Sequence, residues 1–202
     1  MFKGQHSKMS NDMYPFFRLA KIIFQSNKKP AISYTEQDEI EFRCHPWDID
    51  MFMEMNNGRI LTLYDLGRTA LSVKCGLMRT LKQNRWGLVV AGSSVRYRKR
   101  VRMFDKITMK TQCVATDDKW FYLEQSMWVK GHPCSSVLIR AGVTSKSGVV
   151  PPQEVIDAAG EKPMTSDIPM WVQEWIDSEQ HRPWPPTAYE GADDSQVQVS
   201  EQ

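Results

Sequence analysis

The chain is poor in the groups that build metal centres and disulfide frameworks. Its 202 residues include four cysteines (Cys44, Cys75, Cys113 and Cys134), none in a C-x-x-C spacing, and four scattered histidines (His6, His45, His132 and His181). Neither a zinc site nor a disulfide scaffold is expected, and no cofactor is called for. There is no P-loop, no G-x-S-x-G elbow, no dinucleotide-type glycine fingerprint and no internal repeat, which sets aside the enzyme classes and solenoids that depend on them. A serine in VAGSS, residues 90–94, has no positioned histidine to complete a triad. Charge of either sign is not in excess, since 26 basic and 24 acidic residues leave +2. That is too little for a general nucleic-acid binder, so no nucleic-acid partner is expected. Long apolar runs are missing too. MYPFFRLAKIIF is broken by Arg18 and Lys21 and falls short of the roughly 20 residues that cross a bilayer. It also lacks a cleavage site for a secretory signal. A cytoplasmic setting is the expectation.

What remains is an ordinary globular composition, 41% hydrophobic and 25% charged, arranged around PWDIDMFMEMNNGRILTLYDLGR, residues 46–68. Asp48 and Asp50 lie two apart, so an extended backbone points both carboxylates to one side, where each raises the pKa of the other. Asn56 and Asn57 are good N-cap residues and Gly58 permits close backbone approach. Ile60, Leu63, Tyr64, Gly67 and Leu71 then share one helical face that runs to Cys75, with Gly76 as the left-handed stop. Gly67 on the buried face predicts close packing onto a sheet. A carboxylate just upstream of a helix N-terminus can serve acyl transfer, because the unpaired N–H groups there suit an oxyanion. D-x-D and N-N are also common turn and cap residues, and spacing alone leaves that reading open.

These residues resemble the signature of the hotdog-fold acyl-CoA thioesterases. The likeness is to the 4-hydroxybenzoyl-CoA thioesterase-like group and its thioesterase-superfamily-member-6-like branch, with the pattern D-x-D-x-x-x-H-x-N-N-x-x-Y followed by D-L-G-R. GLVVAGSSVRYRKRVRMFDKITMKTQCVATDDKWFYLEQSMW resembles the strands that follow in that family, so residues 36–152 are covered. The resemblance implies an α+β hotdog fold, an antiparallel sheet wrapped around one long central helix, with helical appendages at the N and C termini. It implies hydrolysis of an acyl-CoA or related thioester to a carboxylic acid and a thiol, a place in fatty acid metabolism, and coenzyme A as part of the substrate. By the resemblance Asp50 is the catalytic carboxylate, as general base or nucleophile. Asn57 and Gly58 form the oxyanion hole, and Asp65 is an assisting carboxylate. Two positions depart from the pattern: Glu54 replaces the histidine and Ile60 the tyrosine. They motivate an alternative, a catalytically inactive hotdog protein that binds acyl thioesters or a protein partner, with Glu54 raising the pKa of Asp50. A hydratase would need a histidine by the helix, and His45 precedes the aspartates.

Around this centre, DEIEFRC (residues 38–44) alternates as a first strand. MRTLKQNR reads as a polar connection, and four further strands form a meander, including KITMKTQCVA, KWFYLEQSMWV and SSVLIRAGVTS. Trp120, Phe121, Tyr122 and Trp128 read as core and interface residues rather than a base-stacking platform. The basic run RYRKRVR offers Lys99 and Arg100 to coenzyme A phosphates, with Asn56 as a further substrate-binding residue, or else edge protection. Asp65 and Arg68 form an i, i+3 pair that orients the site or simply stabilises the helix. Leu61, Val73 and Met78 are candidates for the pocket wall. One sheet with one helix leaves a face to cover, so a homodimer or dimer of dimers is expected. Three segments result: residues 1–35 with a short apolar helix, the hotdog domain 36–152, and a proline-rich extension 153–202. The first helix packs on protein or, through residues 14–29, makes peripheral contact with a membrane, with Arg18, Lys21, Lys28 and Lys29 facing lipid head groups. In the extension, DIPMWVQEWIDSE is an amphipathic helix with Met170, Trp171, Trp175 and Val172 as candidate anchors that docks on the body or on a neighbouring subunit, followed by a disordered acidic tail.

Overall fold

The helix after the doubled asparagine is the axis of the fold. The computed structural model describes residues 14–184 and 186, and the chain divides after Asp167 into two compact units. Residues 1–13 and the acidic tail lie outside the described residues. In the first unit α2 spans Asn57–Lys74, and Gly76 ends it in the left-handed region at φ 77°. Ile60, Leu63, Tyr64, Gly67 and Leu71 are all buried, as the spacing predicts, and Leu66 and Ala70 join them. Gly67 is where the sheet comes closest. A Cβ there would lie 2.5 Å from Thr111 Oγ1 and 2.6 Å from Met109 Sδ, distances no side chain tolerates.

The strands are β1 (Asp38–Arg43), β2 (Gly87–Tyr97), β3 (Lys106–Thr116), β4 (Phe121–Val129), β5 (His132–Ser145) and the short β6 (Gly148–Val150). They form one antiparallel sheet in the order β1-β3-β4-β5-β2, with β6 on β5. The expected meander of four strands is corrected here. β3, β4 and β5 follow one another, but β2 crosses to the far edge and pairs with β5. Its eleven residues alternate too weakly to reveal that, because most are exposed. β3 alternates strictly, its buried residues Ile107, Met109, Thr111, Cys113 and Ala115 facing α2. Of the aromatic run, Tyr122 is wholly buried, while Trp120, Phe121 and Trp128 are half-buried.

Three helices frame this body. α1 (Phe16–Ser26) sets Ile22 and Leu19 into the same core cluster as Leu63 and Tyr64, and Phe16, Phe17 and Phe24 stay exposed. Among the described residues no helix is long and apolar enough to cross a membrane. The expected polar connection after α2 is instead a helix, α3 (Leu77–Asn84), because Thr80 and Leu81 are buried on one side while Arg79, Lys82, Gln83 and Asn84 stay exposed on the other. α4 (Pro152–Ala159) begins with proline at its first position, where no amide is needed, and buries Val155 and Ile156. In the second unit α5 (Met170–Gln180) is the expected amphipathic helix, and of its expected anchors Val172 is fully buried. Ile176 is buried as well, while Met170 and Trp171 are 77% and 45% exposed.

Candidate active site

The two aspartates of the D-x-D pair have different environments. Pro46–Asp48 is a 3-10 turn rather than extended chain, and it rotates Asp48 inward. There the carboxylate is fully buried. Its Oδ2 accepts from Arg18 Nη2 at 2.6 Å and from the His45 N–H at 2.9 Å, and Oδ1 faces Arg59 Nε at 3.1 Å. The expectation of two carboxylates on one side is therefore corrected: Asp48 is neutralised by two arginines and ties α1, the loop and α2 together. Arg18, which the sequence places toward lipid in the membrane reading, faces Asp48 instead. Burial, reinforced by Arg18, lowers the pKa of the neighbouring His45.

Asp50 stays at the surface of a tight loop. Its N–H donates to the Glu54 carbonyl at 2.8 Å, its carbonyl accepts from Met53, and its Oδ1 accepts the Phe52 N–H at 2.8 Å. Met53 is held at φ 60°, a strained position for a non-glycine residue. A bridge between Ile49 and Met55 closes the loop. Its outer residues Met51, Phe52 and Met53 are 85%, 70% and 63% exposed. Asn56 then caps α2, its Oδ1 accepting from the Gly58 N–H at 2.9 Å and the Arg59 N–H at 3.2 Å. The Gly58 and Arg59 amides are thus occupied by the cap, whereas the Asn57 N–H, likewise without an intrahelical partner, is not engaged by it.

The basic cluster reaches this loop through the backbone. Met55 N–H donates to Val101 O at 2.9 Å, and Arg100 Nε pairs with Glu54 at 2.9 Å. Lys99 and Arg100 are exposed beside Asp50's loop. Glu54, in the histidine's place, directs its charge to Arg100. Ile60 is simply core.

Asp65 and Arg68 form a contact pair two turns further along α2. A relay that sequence reasoning missed holds Arg68. Its Nη1 donates to Gln125 Oε1 at 2.7 Å, while Gln125 Nε2 donates to Tyr64 O and Thr111 Oγ1, both at 2.9 Å. Burial lowers the Arg68 pKa to about 10, so it remains charged at neutral pH. A buried glutamine at the centre of strand β4 is the one sequence signal for this relay. Beside the pair opens a cavity of about 240 Å³, walled by α2, α3, α4 and the edge strand β2. Met78 lines it, but Leu61 and Val73 do not, and neither do Asp50, Asn57 and Gly58. Among the described residues no group of three or more His, Cys, Asp or Glu side chains is placed to hold a metal.

A central helix wrapped by a curled antiparallel sheet, with a carboxylate loop at the helix N-terminus, defines a hotdog fold of the thioesterase type. The model of the thioesterase-like superfamily matches residues 44–176, well over half of the chain, and the chain belongs to that superfamily. Its relatives include the protein THEM6 of Xenopus laevis, 28% identical over 82% of this chain and 80% of that one. THEM6 of Drosophila melanogaster is 30% identical over 77% and 78%. Similar solved structures include a hypothetical protein from Staphylococcus aureus in complex with CoA, with a TM-score of 0.56 and 12% identity over 71% of this chain and 96% of that one. A gentisyl-coenzyme A thioesterase has a TM-score of 0.55 and 16% identity over 59% and 99%. At such identities the structures speak for the fold alone.

Proposed function

We propose that this protein hydrolyses the thioester of an acyl-CoA, water and R–CO–S–CoA giving R–COOH and HS–CoA. The observation that carries the reading is the division of labour within the D-x-D pair. Asp48 is locked to Arg18 and Arg59, while Asp50, two residues on, is held by backbone contacts at the surface beside the N-terminus of α2. Asp50 serves as general base toward water or as nucleophile on the carbonyl carbon. The Asn57 N–H, with Gly58's if the Asn56 cap yields, accepts the developing oxyanion. Lys99 and Arg100 lie where the phosphates of coenzyme A can meet them, and one of the similar structures is a complex with CoA. Asp65, held by Arg68, assists from the helix.

The site works as part of a homodimer or a dimer of dimers. β2 is an edge strand with Leu88, Val89 and Val90 exposed, whereas the opposite edge, β1, carries outward charges such as Glu39 and Glu41. An apolar edge is an association surface and a charged one resists it. Exposed Phe17, Lys21 and Phe24 on α1, with Lys28 just past its end, suit peripheral membrane contact. The alternative of acyl binding without turnover draws on the occupied Gly58 amide. Pairing of Glu54 with Arg100 counts against it, since the extra carboxylate is matched by a cation.

Thiol release from short, long and aromatic acyl-CoAs, with Asp50→Asn run alongside, tests the reading. Release by wild type that collapses in the variant is the expected result. Equal release by both removes Asp50 from the mechanism, and tight binding without release establishes the alternative.

A further inference from the structure

The cavity beside Asp65 and Arg68 is graded in both exposure and polarity. At its outer end stand Asp65, Arg68 and the exposed strand residues Leu88 and Val90. At its inner end stand Cys113, Val155 and Ile156, each less than 5% exposed. The polar groups at the inner end are already engaged. Tyr34 Oη donates to Lys162 O at 3.2 Å, and Glu161 accepts from Ser33 Oγ at 2.9 Å. Burial raises the Cys75 and Cys113 thiols to about 11 and about 12, so both are uncharged apolar wall at neutral pH. Among the described residues that line it, the cation at the outer end is Arg68, braced by Gln125. Polar at the rim, apolar and closed at the base, this is the shape for an amphiphile that enters tail first.

Building on the thioesterase reading, we propose that this cavity is the acyl-chain site and that it takes an unbranched aliphatic chain of medium length, with α4 and the Tyr34 segment as its floor. An apolar cavity of roughly 150 Å³ holds the six carbons of benzene. At about 240 Å³ the same scale gives about ten carbons. The floor sets the limit because α4 places Val155, Ile156 and Ala159 across the inner end. A partner joined along β2 antiparallel, about a two-fold axis normal to the sheet, sets its α2 antiparallel to this one. The rim, with Asp65 and Arg68, is where a chain seated in the cavity presents its carbonyl.

The test is the affinity of the full-length protein for saturated fatty acids of four to sixteen carbons, measured by calorimetry, with acyl-CoA hydrolysis followed over the same lengths. Affinity is expected to rise about fourfold per methylene and to level off near ten carbons. Ala159→Phe, which fills the floor, is expected to bring the plateau down by two or more carbons. A second readout uses wild type alone: decanoate should protect Cys75 and Cys113, but not Cys44 and Cys134, from methyl methanethiosulfonate. Affinity that climbs without a break to sixteen carbons, a plateau unmoved in a folded Ala159→Phe, or absence of selective protection overturns the assignment. A plateau with no hydrolysis of any acyl-CoA keeps the cavity and removes the enzyme; hydrolysis with no plateau does the reverse.

Discussion

The two ends of α2 do opposite things with the same helix. Its N-terminal end meets a loop held by backbone hydrogen bonds, two aspartates and a basic strand end, and it keeps polar groups within reach of solvent. Its C-terminal half runs between the sheet, α3 and α4, and encloses apolar space. Charge is paired at both ends, Asp48 with Arg18 at one and Lys74 with Asp38 at the other, but the C-terminal half also carries two thiols kept neutral by burial. A thioester has the same two halves, a reactive polar carbonyl and a hydrocarbon.

Four substitutions break or sharpen this contrast. The largest effect is expected from Asp48→Ala, which removes the buried carboxylate that Arg18 and Arg59 share. Breaking a buried pair from one side costs about 3–5 kcal/mol, to be read as a fall in the denaturation midpoint. Asp50→Asn should leave that midpoint in place and lower turnover on the order of a hundredfold. Opposite outcomes for two aspartates two residues apart are the sharpest check on their division. Gly67→Ala presses a methyl group onto Thr111, Met109 and Gln125. It is expected to cost about 1–3 kcal/mol by overpacking, and because Gln125 braces Arg68, affinity for decanoate should fall with it. Asn56→Ala removes the cap from the Gly58 and Arg59 amides at about 1 kcal/mol. If the Gly58 N–H belongs to the oxyanion hole, this variant loses stability while holding or gaining turnover per folded molecule.

Local signals made much of this legible. Asn56 as the cap, the buried face from Ile60 to Leu71, the stop at Gly76 and the close approach at Gly67 each follow from one residue type at one spacing. α3 and α4 were not legible. α3 buries only a short stretch of a polar sequence, and α4 opens on prolines that read equally well as a linker. Of the expected anchors of α5, Val172 is buried and Ile176 joins it, while the larger Met170 and Trp171 are exposed.

The sequence by itself determined the hotdog pattern, the central helix with its cap and stop, and the motif that places Asp50 before a helix N-terminus, because these depend on neighbours within a few residues. Only the tertiary structure decided that Asp48 turns inward to Arg18, 30 positions away, that Gln125 braces Arg68, that β2 lies at an edge, and that the cavity is floored by α4. Those outcomes depend on which distant groups share a buried volume, and neither spacing nor periodicity carries that information.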